Sequence, residues 1–258
     1  MLNNNLSFHA ETKSNSKLSI AIALAIITIW LISLTWLLKL DLSNFPVILI
    51  IVAVGLRTFL HTGIFIIIHD SIHGVVHQNR RINSLIGYIA AFLYAILPYK
   101  TLAQNHQQHH QCPVTENDPD FYSQNPYNFW LWYGSFMKDY QQGKQFWILF
   151  WGMTVVFWFL IGLKINVANI FLFWVIPIIT SSLQLFTFGI FIPHHPCPEG
   201  YSDRHCARSS NYSVFWSFIT CYHFGYHWEH HQYPHLPWYK LPVAHRKHQK
   251  LSHSILES

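Results

Sequence analysis

The sequence predicts an all-α integral membrane protein with about four transmembrane helices in two hairpins and a histidine-rich site for two metal ions at the cytoplasmic face. Composition is the first reason, because 51% of the 258 residues are hydrophobic and 10% are charged. The second reason is a set of four apolar runs that are each long enough to cross a hydrocarbon core of roughly 30 Å. The third is that histidines recur at helical spacing beside these runs.

The first two apolar runs form one predicted hairpin. Residues 18–38 are uncharged and reach the length of about 20 residues that a spanning helix requires. Residues 46–68 have a similar length, although they include Arg57 and His61. The first run is too long for the core of a signal peptide and no small-x-small cleavage site follows it, so we expect it to be retained as an anchor.

The other two runs form a second predicted hairpin. They cover residues 145–163 and 167–193, with Lys164, Ile165 and Asn166 between them. A shorter run at residues 83–98 ends in proline. Because it is too short to span and proline cannot continue a helix, we expect an interfacial or re-entrant helix that does not cross.

The chain is predicted to hold one catalytic unit between two polar ends. Residues 1–17 are polar and predict a disordered tail. Residues 18–242 contain every apolar run and every histidine cluster and predict a single membrane-bound catalytic domain. Residues 243–258 form a basic C-terminal tail.

The distribution of Lys and Arg predicts the orientation of the spans, since short cytoplasmic loops carry an excess of these residues. With the N-terminus inside and four crossings, Lys39 and Lys164 lie outside and Arg57 lies within a span. The other thirteen of the sixteen cations then fall inside, with both termini and all histidine clusters. The net charge of +5 therefore reflects topology and gives no reason to expect a nucleic-acid partner.

Eight histidines form three clusters with spacings of three or four residues, which places each cluster on one face of a helix. The clusters are His69 and His73; His106, His109 and His110; and His227, His230 and His231. Since a tetrahedral zinc site closes with four ligands, eight imidazoles favour two metal ions. Imidazole binds zinc, copper, nickel and iron alike, so the spacing leaves the metal open.

Glycine and proline predict where the helices that carry the clusters end. The first cluster continues the second apolar run, and Gly74 is expected to end that helix. Pro113 limits the second helix to the turn that holds its histidines. We expect His223 to share one helical face with the third cluster, and Pro234 to close that helix.

Together, the clusters resemble the HxxxH, HxxHH and HxxHH boxes of the membrane fatty-acid desaturase and hydroxylase superfamily. Within it, the sequence is similar to the beta-carotene ketolases of bacterial and cyanobacterial type over nearly all of residues 18–242. The similarity rests on FLHTG at 59–63, HDSIHG at 69–74, DPDF at 118–121, FGIFIPH at 188–194 and the segment 216–238. Departures are Ser71 and Ile72, where the family often has Ala and Met, and Trp228, where it often has an acidic or polar residue.

This resemblance implies a site of two iron ions (Fe²⁺) and supplies a ninth ligand. His194 suits that role because it ends the fourth apolar run on the predicted metal face, whereas the adjacent His195 is expected to point elsewhere. The implied reaction uses O₂ to oxidise ring C4 of beta-carotene to a ketone, through two hydroxylations and a dehydration, giving echinenone and canthaxanthin. The carotenoid is expected to enter from the lipid bilayer.

Electrons for this reaction must come from another protein. The sequence contains no flavin motif, no CxxCH haem-attachment site and no cysteine set for an iron–sulfur cluster. By family resemblance, the donor is expected to be a ferredoxin-type protein.

Acidic residues beside the clusters are expected to hold the second nitrogens of the ligand imidazoles. These are Asp70, Asp118, Asp120 and Glu229. An alternative stays open, in which Asp70 caps a helix end and Asp118 and Asp120 only shape a loop. His223 is expected to support the site rather than to bind metal.

Other functions stay open at this point. A carotenoid 3-hydroxylase or a fatty-acyl desaturase of the same superfamily would use the same iron chemistry on another carbon. A histidine-rich metal transporter would place its ligands near the bilayer midplane, where His61 and Arg57 are the polar groups. A b-type haem protein would use two axial histidines and leave the other ligand candidates unexplained.

The remaining histidines have no partner at ligand spacing on their own helix face, and solvated surface is the default prediction for them. They are His9, His77, His205, His245, His248 and His253. His235, just beyond the third cluster, is expected at the surface or in a channel.

Overall fold

A computed structural model of the chain describes residues 16–196, 200–201 and 203–256, with the backbone alone from 252 onward. The described part is helical, and we number its helices in chain order. They are α1 (Ser16–Leu37), α2 (Val47–Ile72), α3 (Arg80–Ala95), α4 (Tyr99–Gln111), α5 (Phe129–Tyr140), α6 (Lys144–Gly162), α7 (Val167–His194), α8 (Val214–Cys221), α9 (His227–Gln232) and α10 (Leu241–Leu256). The predicted tail at 1–17 lies almost entirely outside these residues.

The prediction of four long apolar helices is confirmed, because α1, α2, α6 and α7 are each long and apolar enough to cross a membrane. Their outward faces carry large apolar side chains. On α6 no described residue is buried, and Trp151 and Phe159 are 58% and 62% exposed. Patches of this kind are costly in water, so these helices require a lipid environment.

The short run between the two pairs forms α3, which is followed directly by α4 at an angle of 102°. Ile96 takes a left-handed conformation at the end of α3 (φ 55°), and Pro98 precedes the first residue of α4. Proline disfavours helical geometry in the residue before it, which explains why the chain turns here. The bend turns α4, with its histidines, out of line with α3.

Two π-helical turns interrupt α7, at Phe171–Val175 and Thr187–Phe191. Pro177 and Pro193 lie just after them and lack the N–H that would bond the carbonyl four residues earlier. One of these freed carbonyls, that of Phe173, accepts a hydrogen bond of 3.2 Å from Nε of Arg57. The sequence offered no sign of these turns beyond the two prolines.

Arg57 is 1% exposed in the middle of α2 and joins three helices. Its Nη1 donates to the carbonyl of Trp30 at 2.7 Å and to Oγ of Ser33 at 2.8 Å, both on α1, while Nε reaches α7. A charge at this depth is expensive unless it is paired or hydrogen-bonded. Carbonyl and hydroxyl oxygens therefore make Arg57 a cross-link of the helix bundle.

One prediction about the third histidine cluster is wrong. Residues 223–231 do not form a single helix, because α8 ends at Cys221 and both Tyr222 and His223 adopt left-handed conformations (φ 46° and 65°). The N–H of Tyr222 closes α8 on the carbonyls of Phe218 and Ser217, and α9 starts afresh at His227. This break separates His223 from the face that carries the cluster.

Candidate metal centre

Nine imidazoles from four helices converge at one end of the bundle. They fall into two sets, which we call the first and second imidazole groups. The first group contains His69, His73, His106, His110 and His230; the second contains His109, His194, His227 and His231. These are the nine residues that the sequence analysis put forward, and the structure adds how they divide.

Helix ends explain why these side chains meet. His69 lies in the last turn of α2, and His73 caps that helix, where Gly74 takes a left-handed conformation (φ 73°) as expected. The second cluster occupies the last two turns of α4, which ends at Gln111, just before Cys112 and Pro113. His194 is the final residue of α7. These three helices thus deliver their imidazoles at their C-terminal ends.

In the first imidazole group, neighbouring Nε2 atoms lie about as far apart as two nitrogens that bind the same metal ion. The Nε2 distances are 3.1 Å between His69 and His230, 2.7 Å between His73 and His106, 3.1 Å between His106 and His110, and 2.9 Å between His110 and His230. All five rings therefore present the same nitrogen to one point.

The second imidazole group has the same geometry and is more deeply buried. Nε2 of His231 lies 3.2 Å from that of His109 and 3.1 Å from that of His227, which lies 3.0 Å from Nε2 of His194. Each of these four residues is 4% exposed or less. No carboxylate oxygen belongs to either group.

These distances fit a bound cation at each group. An ion held roughly 2.1 Å from two nitrogens at right angles leaves those nitrogens about 3.0 Å apart. Hydrogen bonding satisfies the facing nitrogens poorly, because one proton can bridge only one pair, whereas a cation can accept every lone pair at once. Two all-imidazole sets are therefore suited to transition metals.

Burial keeps the ligand candidates of α9 in the neutral form that binds metal. It lowers the pKa of His230 and His231 well below the usual range, and the neighbouring imidazoles lower it further. A neutral imidazole keeps the lone pair that a metal requires. The site can therefore bind a cation without first losing protons from these residues.

Asp118 holds His109, as expected of a carboxylate beside a ligand. Nδ1 of His109 lies 3.0 Å from both oxygens of Asp118, which fixes Nε2 as the nitrogen that faces the second imidazole group. Burial opposes ionisation of Asp118, but the hydrogen bond and charge of His109 together with two backbone N–H groups outweigh it, so the pKa of this carboxyl is lowered. Backbone N–H groups of Val114 and Asp120 also donate to it, so Asp118 shapes the loop as well.

Asp120 lies further from His109 than Asp118 does. Its Oδ2 lies 3.9 Å from Nδ1 of His109, and its Oδ1 accepts a 2.6 Å hydrogen bond from the hydroxyl of Tyr140. Burial raises the pKa of Asp120 to about 6, and the charge of Asp118 adds to the shift.

Asp70 contacts its neighbouring ligand candidate loosely. Oδ1 of Asp70 lies 3.5 Å from Nδ1 of His69, and Oδ2 accepts from the backbone N–H of Trp238 at 3.2 Å. Its carboxylate therefore ties the end of α2 to the segment before α10. It does not cap its own helix. The carbonyl of Cys206 plays the equivalent part for His194, whose Nδ1 lies 2.8 Å away, and no sequence pattern predicted this contact.

Glu229 is completely buried but does not touch the ligand nitrogens. Its Oε1 lies 2.8 Å from Nδ1 of His245 on α10, and its Oε2 accepts from the hydroxyl of Ser209. Ser209 also accepts from the backbone N–H of Trp228. Glu229 therefore fastens α9 to two neighbouring segments, which supports the cluster through the backbone.

Two histidines lie in a different environment from the predicted one. His205 and His245 are buried, at 8% and 6% exposure, where solvated surface was expected. Spacing along the sequence could not predict this burial, because the partners of these histidines, Gln232 and Glu229, lie on another segment. His223 lies against Phe218 and Trp238 and outside both imidazole groups. The side chains of His9 and His253 fall outside the described residues.

An apolar cavity reaches both imidazole groups. Its wall includes His69 and His106 of the first group and His109 and His227 of the second. The rest is largely apolar and aromatic, with Phe65, Leu102, Phe136, Leu149, Phe186 and Phe224 among the lining residues. A lining of this kind favours an apolar molecule placed beside both imidazole groups.

Comparison with known proteins gives two concordant results. The family model for fatty acid desaturase matches residues 43–254. A beta-carotene ketolase of Paracoccus sp. (strain PC1) is 36% identical over 236 residues, which cover 90% of this chain and 93% of that protein.

Other relatives align over less of their length. A zeaxanthin 4-ketolase of Chlamydomonas reinhardtii is 36% identical over 83% of this chain and 48% of its own length. A chloroplastic omega-6 fatty acid desaturase of Spinacia oleracea is 23% identical over 71% of this chain and 49% of its own length. No solved structure matches the chain.

Proposed function

Because the chain belongs to the fatty acid desaturase family and, within it, to the beta-carotene ketolases, we propose that it oxidises C4 of a beta-ionone ring to a ketone. Beta-carotene would give echinenone after one ring and canthaxanthin after two. The observation that carries the proposal is the apolar cavity whose wall contains imidazoles of both groups. It offers a lipid-soluble ring a place directly beside both groups.

Iron is the metal we assign to the two imidazole groups. The first group would hold one Fe²⁺ and the second the other, since each presents converging nitrogens and contains only imidazoles. Bound iron would supply the redox chemistry that activates O₂ for attack on a C–H bond, which zinc cannot supply.

The balance of the reaction requires an electron donor. One ring CH₂ with two O₂, four electrons and four protons gives one C=O and three H₂O. The first oxidation gives an alcohol, the second a geminal diol, and the diol loses water. Since the sequence contains no motif for a flavin, haem or iron–sulfur group, we assign the electrons to a separate ferredoxin-type protein.

The chain's own residues would position the reactants. The aromatic wall of the cavity would hold the ring and exclude water from the oxidised carbon. Asp118 would keep His109 in the tautomer that faces the metal. Glu229 would hold α9 against α10, and so keep the backbone of the third cluster in place.

Rings that already carry a 3-hydroxyl form a second candidate substrate. Two observations favour it. One relative is a zeaxanthin 4-ketolase, and the largely apolar cavity includes Tyr140 and Asp120, which are hydrogen-bonded to each other. The phenol oxygen of Tyr140 retains a lone pair that can accept a hydrogen bond from a ring hydroxyl.

Pigment analysis tests this proposal. The chain is expressed in cells that accumulate beta-carotene, with iron supplied, and the extracted carotenoids are separated and weighed by mass spectrometry. We expect echinenone and canthaxanthin. Zeaxanthin as the product would replace the ketolase by a 3-hydroxylase, and unchanged beta-carotene beside altered acyl chains would replace it by a desaturase. Cells that accumulate zeaxanthin test the second substrate in the same way.

We also propose that the protein is a multi-pass integral membrane protein with both termini in the cytoplasm. The four apolar helices support membrane insertion, and the bias of Lys and Arg supports the orientation.

A further inference from the structure

A series of aromatic rings leads from the second imidazole group to the surface of α10. The ring of His231 lies 6.1 Å from that of His205, which lies 6.4 Å from the indole of Trp228, which in turn lies 4.1 Å from the ring of His248. The series starts at a residue that is 4% exposed and ends on a residue at the protein surface. Neither His205 nor Trp228 has a role in the site described above.

Hydrogen bonds fix the two middle rings of this series. Asp203 accepts from the indole N–H of Trp228 through one oxygen and from the backbone N–H of His205 through the other. Nε2 of His205 also lies 2.8 Å from Oε1 of Gln232. Held in this way, the rings cannot easily turn away from one another.

The helix at the outer end of the series has a basic outward face. Leu241, Ala244 and His245 are buried against the rest of the protein. At 100° per residue, Arg246, Lys247 and Lys250 fall within a sector of about 100° on the opposite side. His248 falls on the same side as Leu241, where it is exposed beside the ring of Trp228. Residues Leu241–Leu256 include no Asp or Glu.

The proposed ketolase reaction requires an electron donor that docks on the protein, and the inference rests on that proposed function. Each ring consumes four electrons, and a one-electron carrier must therefore dock four times for each ketone. Repeated, brief docking favours an interface governed by opposite charges, because electrostatic attraction raises association rates more than it slows dissociation.

We infer that the basic face of α10 docks an acidic one-electron carrier protein, and that electrons reach the second imidazole group through His248, Trp228, His205 and His231. Anionic lipid would also be attracted to a basic helix. The carrier is favoured because the ring series connects this particular helix with ligand candidates of the metal centre, a connection that lipid binding does not require.

A binding experiment tests the surface without relying on catalysis. The probe is an acidic [2Fe–2S] ferredoxin, and its Kd for the purified iron-loaded protein in detergent is measured by biolayer interferometry at low and high salt. The test variant is R246E/K250E, and the control is R80E/R81E, which makes the same change in charge at the start of α3. We expect the test variant to bind at least about tenfold more weakly and the control to change little. Equal losses of affinity in the two variants, or no loss in the test variant, would overturn the assignment of this docking surface.

Rates of reduction test the ring series. Stopped-flow spectroscopy follows reduction of the iron centre by ferredoxin and, separately, by dithionite, and iron content is measured in the same samples. With iron retained, Trp228→Leu should slow reduction by ferredoxin several-fold and leave reduction by dithionite unchanged. Trp228→Phe, which keeps a ring, should recover most of the rate. Equal rates for the leucine variant and the unaltered protein would overturn the route.

Two further outcomes separate this inference from the proposed function. If the unaltered protein makes no ketone from beta-carotene with either reductant, the proposed function fails, while the binding result still stands by itself. If R246E/K250E loses binding to vesicles of anionic phospholipid but keeps its affinity for ferredoxin, α10 is a lipid-binding helix and the inference is overturned.

Discussion

At the scale of single residues, convergence of nitrogen atoms is what distinguishes the ligand candidates from the other histidines. His77 illustrates the contrast, because its Nδ1 accepts from the backbone N–H of Asn79 at the start of α3, at 2.9 Å, and faces no other imidazole. His109 and His230 each present Nε2 to other imidazoles, in the second and first groups respectively.

Removal of one ligand from either group is expected to abolish the reaction. His109→Ala and His230→Ala should each lose iron and all ketone product while the protein stays in the membrane, because a site that requires both ions fails when either is missing. Iron is measured by mass spectrometry on the purified protein and product by chromatography. His77→Ala is the control and should be nearly silent. A silent His230→Ala would contradict the assignment of the first group.

Loss of the Asp118 carboxylate should lower iron affinity less than loss of a ligand does, and more than loss of an exposed carboxylate does. Asp118→Asn removes the charge that orients His109, and loss of such a partner typically costs about 10–100-fold in metal affinity or activity. Iron affinity is measured by competition with a chelator. Asp139→Asn, at an exposed carboxylate on α5, is the matched control. Equal affinities for the two variants would show that Asp118 serves only the loop.

At the scale of elements, the long apolar helices were predictable from the sequence. The ends of the helices that carry the histidines were less predictable. Residues 46–68 and the helix Val47–Ile72 nearly coincide, because a bilayer requires about 20 apolar residues and few sequences satisfy that by chance. The break at Tyr222 and His223 was not predictable, since both residues tolerate a helix and the left-handed turn is set by packing. His205 and His245 were missed for a related reason, as contacts between distant segments leave no periodic signal.

Close packing between α3 and α4 gives a prediction about an element. A Cβ built on Gly87 would overlap the ring of Tyr99, at the start of α4, and would lie 2.9 Å from Cβ of Ser71. Gly87→Ala should therefore lower stability by about 1–3 kcal/mol, because the ring must move and α4 moves with it.

Thermal unfolding in detergent measures this change, and iron content reports whether the histidines on α4 have shifted. Gly134→Ala on α5 is the control, because an added Cβ meets nothing within 4 Å there. Alanine is the better helix former by up to about 1 kcal/mol, so this variant should be neutral or slightly more stable. A stable, iron-replete Gly87→Ala would mean that α3 and α4 can separate without cost.

At the scale of the whole molecule, contacts at both ends of the bundle bear on how many times the chain crosses the membrane. His69 at the end of α2 and His194 at the end of α7 lie at the same metal centre, so both helices run toward that face. The start of α7 lies at the other end, where Nδ2 of Asn169 donates to the carbonyl of Leu37 at 2.9 Å, at the end of α1. Between α2 and α7 the chain must therefore cross an odd number of times. Since α6 supplies one crossing, the bent pair of α3 and α4 is favoured as a re-entrant element.

The proposed four crossings would place both ends of the chain on one side, and the charge bias supports the proposal that this side is the cytoplasm. Ser43→Cys, in the loop between α1 and α2, and Thr115→Cys, in the loop after α4, test this in a background with the four native cysteines replaced by serine. A membrane-impermeant maleimide should label the first in intact cells and the second only after permeabilisation, because the loops lie at opposite ends of the bundle. The reverse pattern would put the metal centre outside the cytoplasm, where a cytoplasmic electron carrier could not reach α10. Labelling of both positions in intact cells would contradict the crossing of α2 itself.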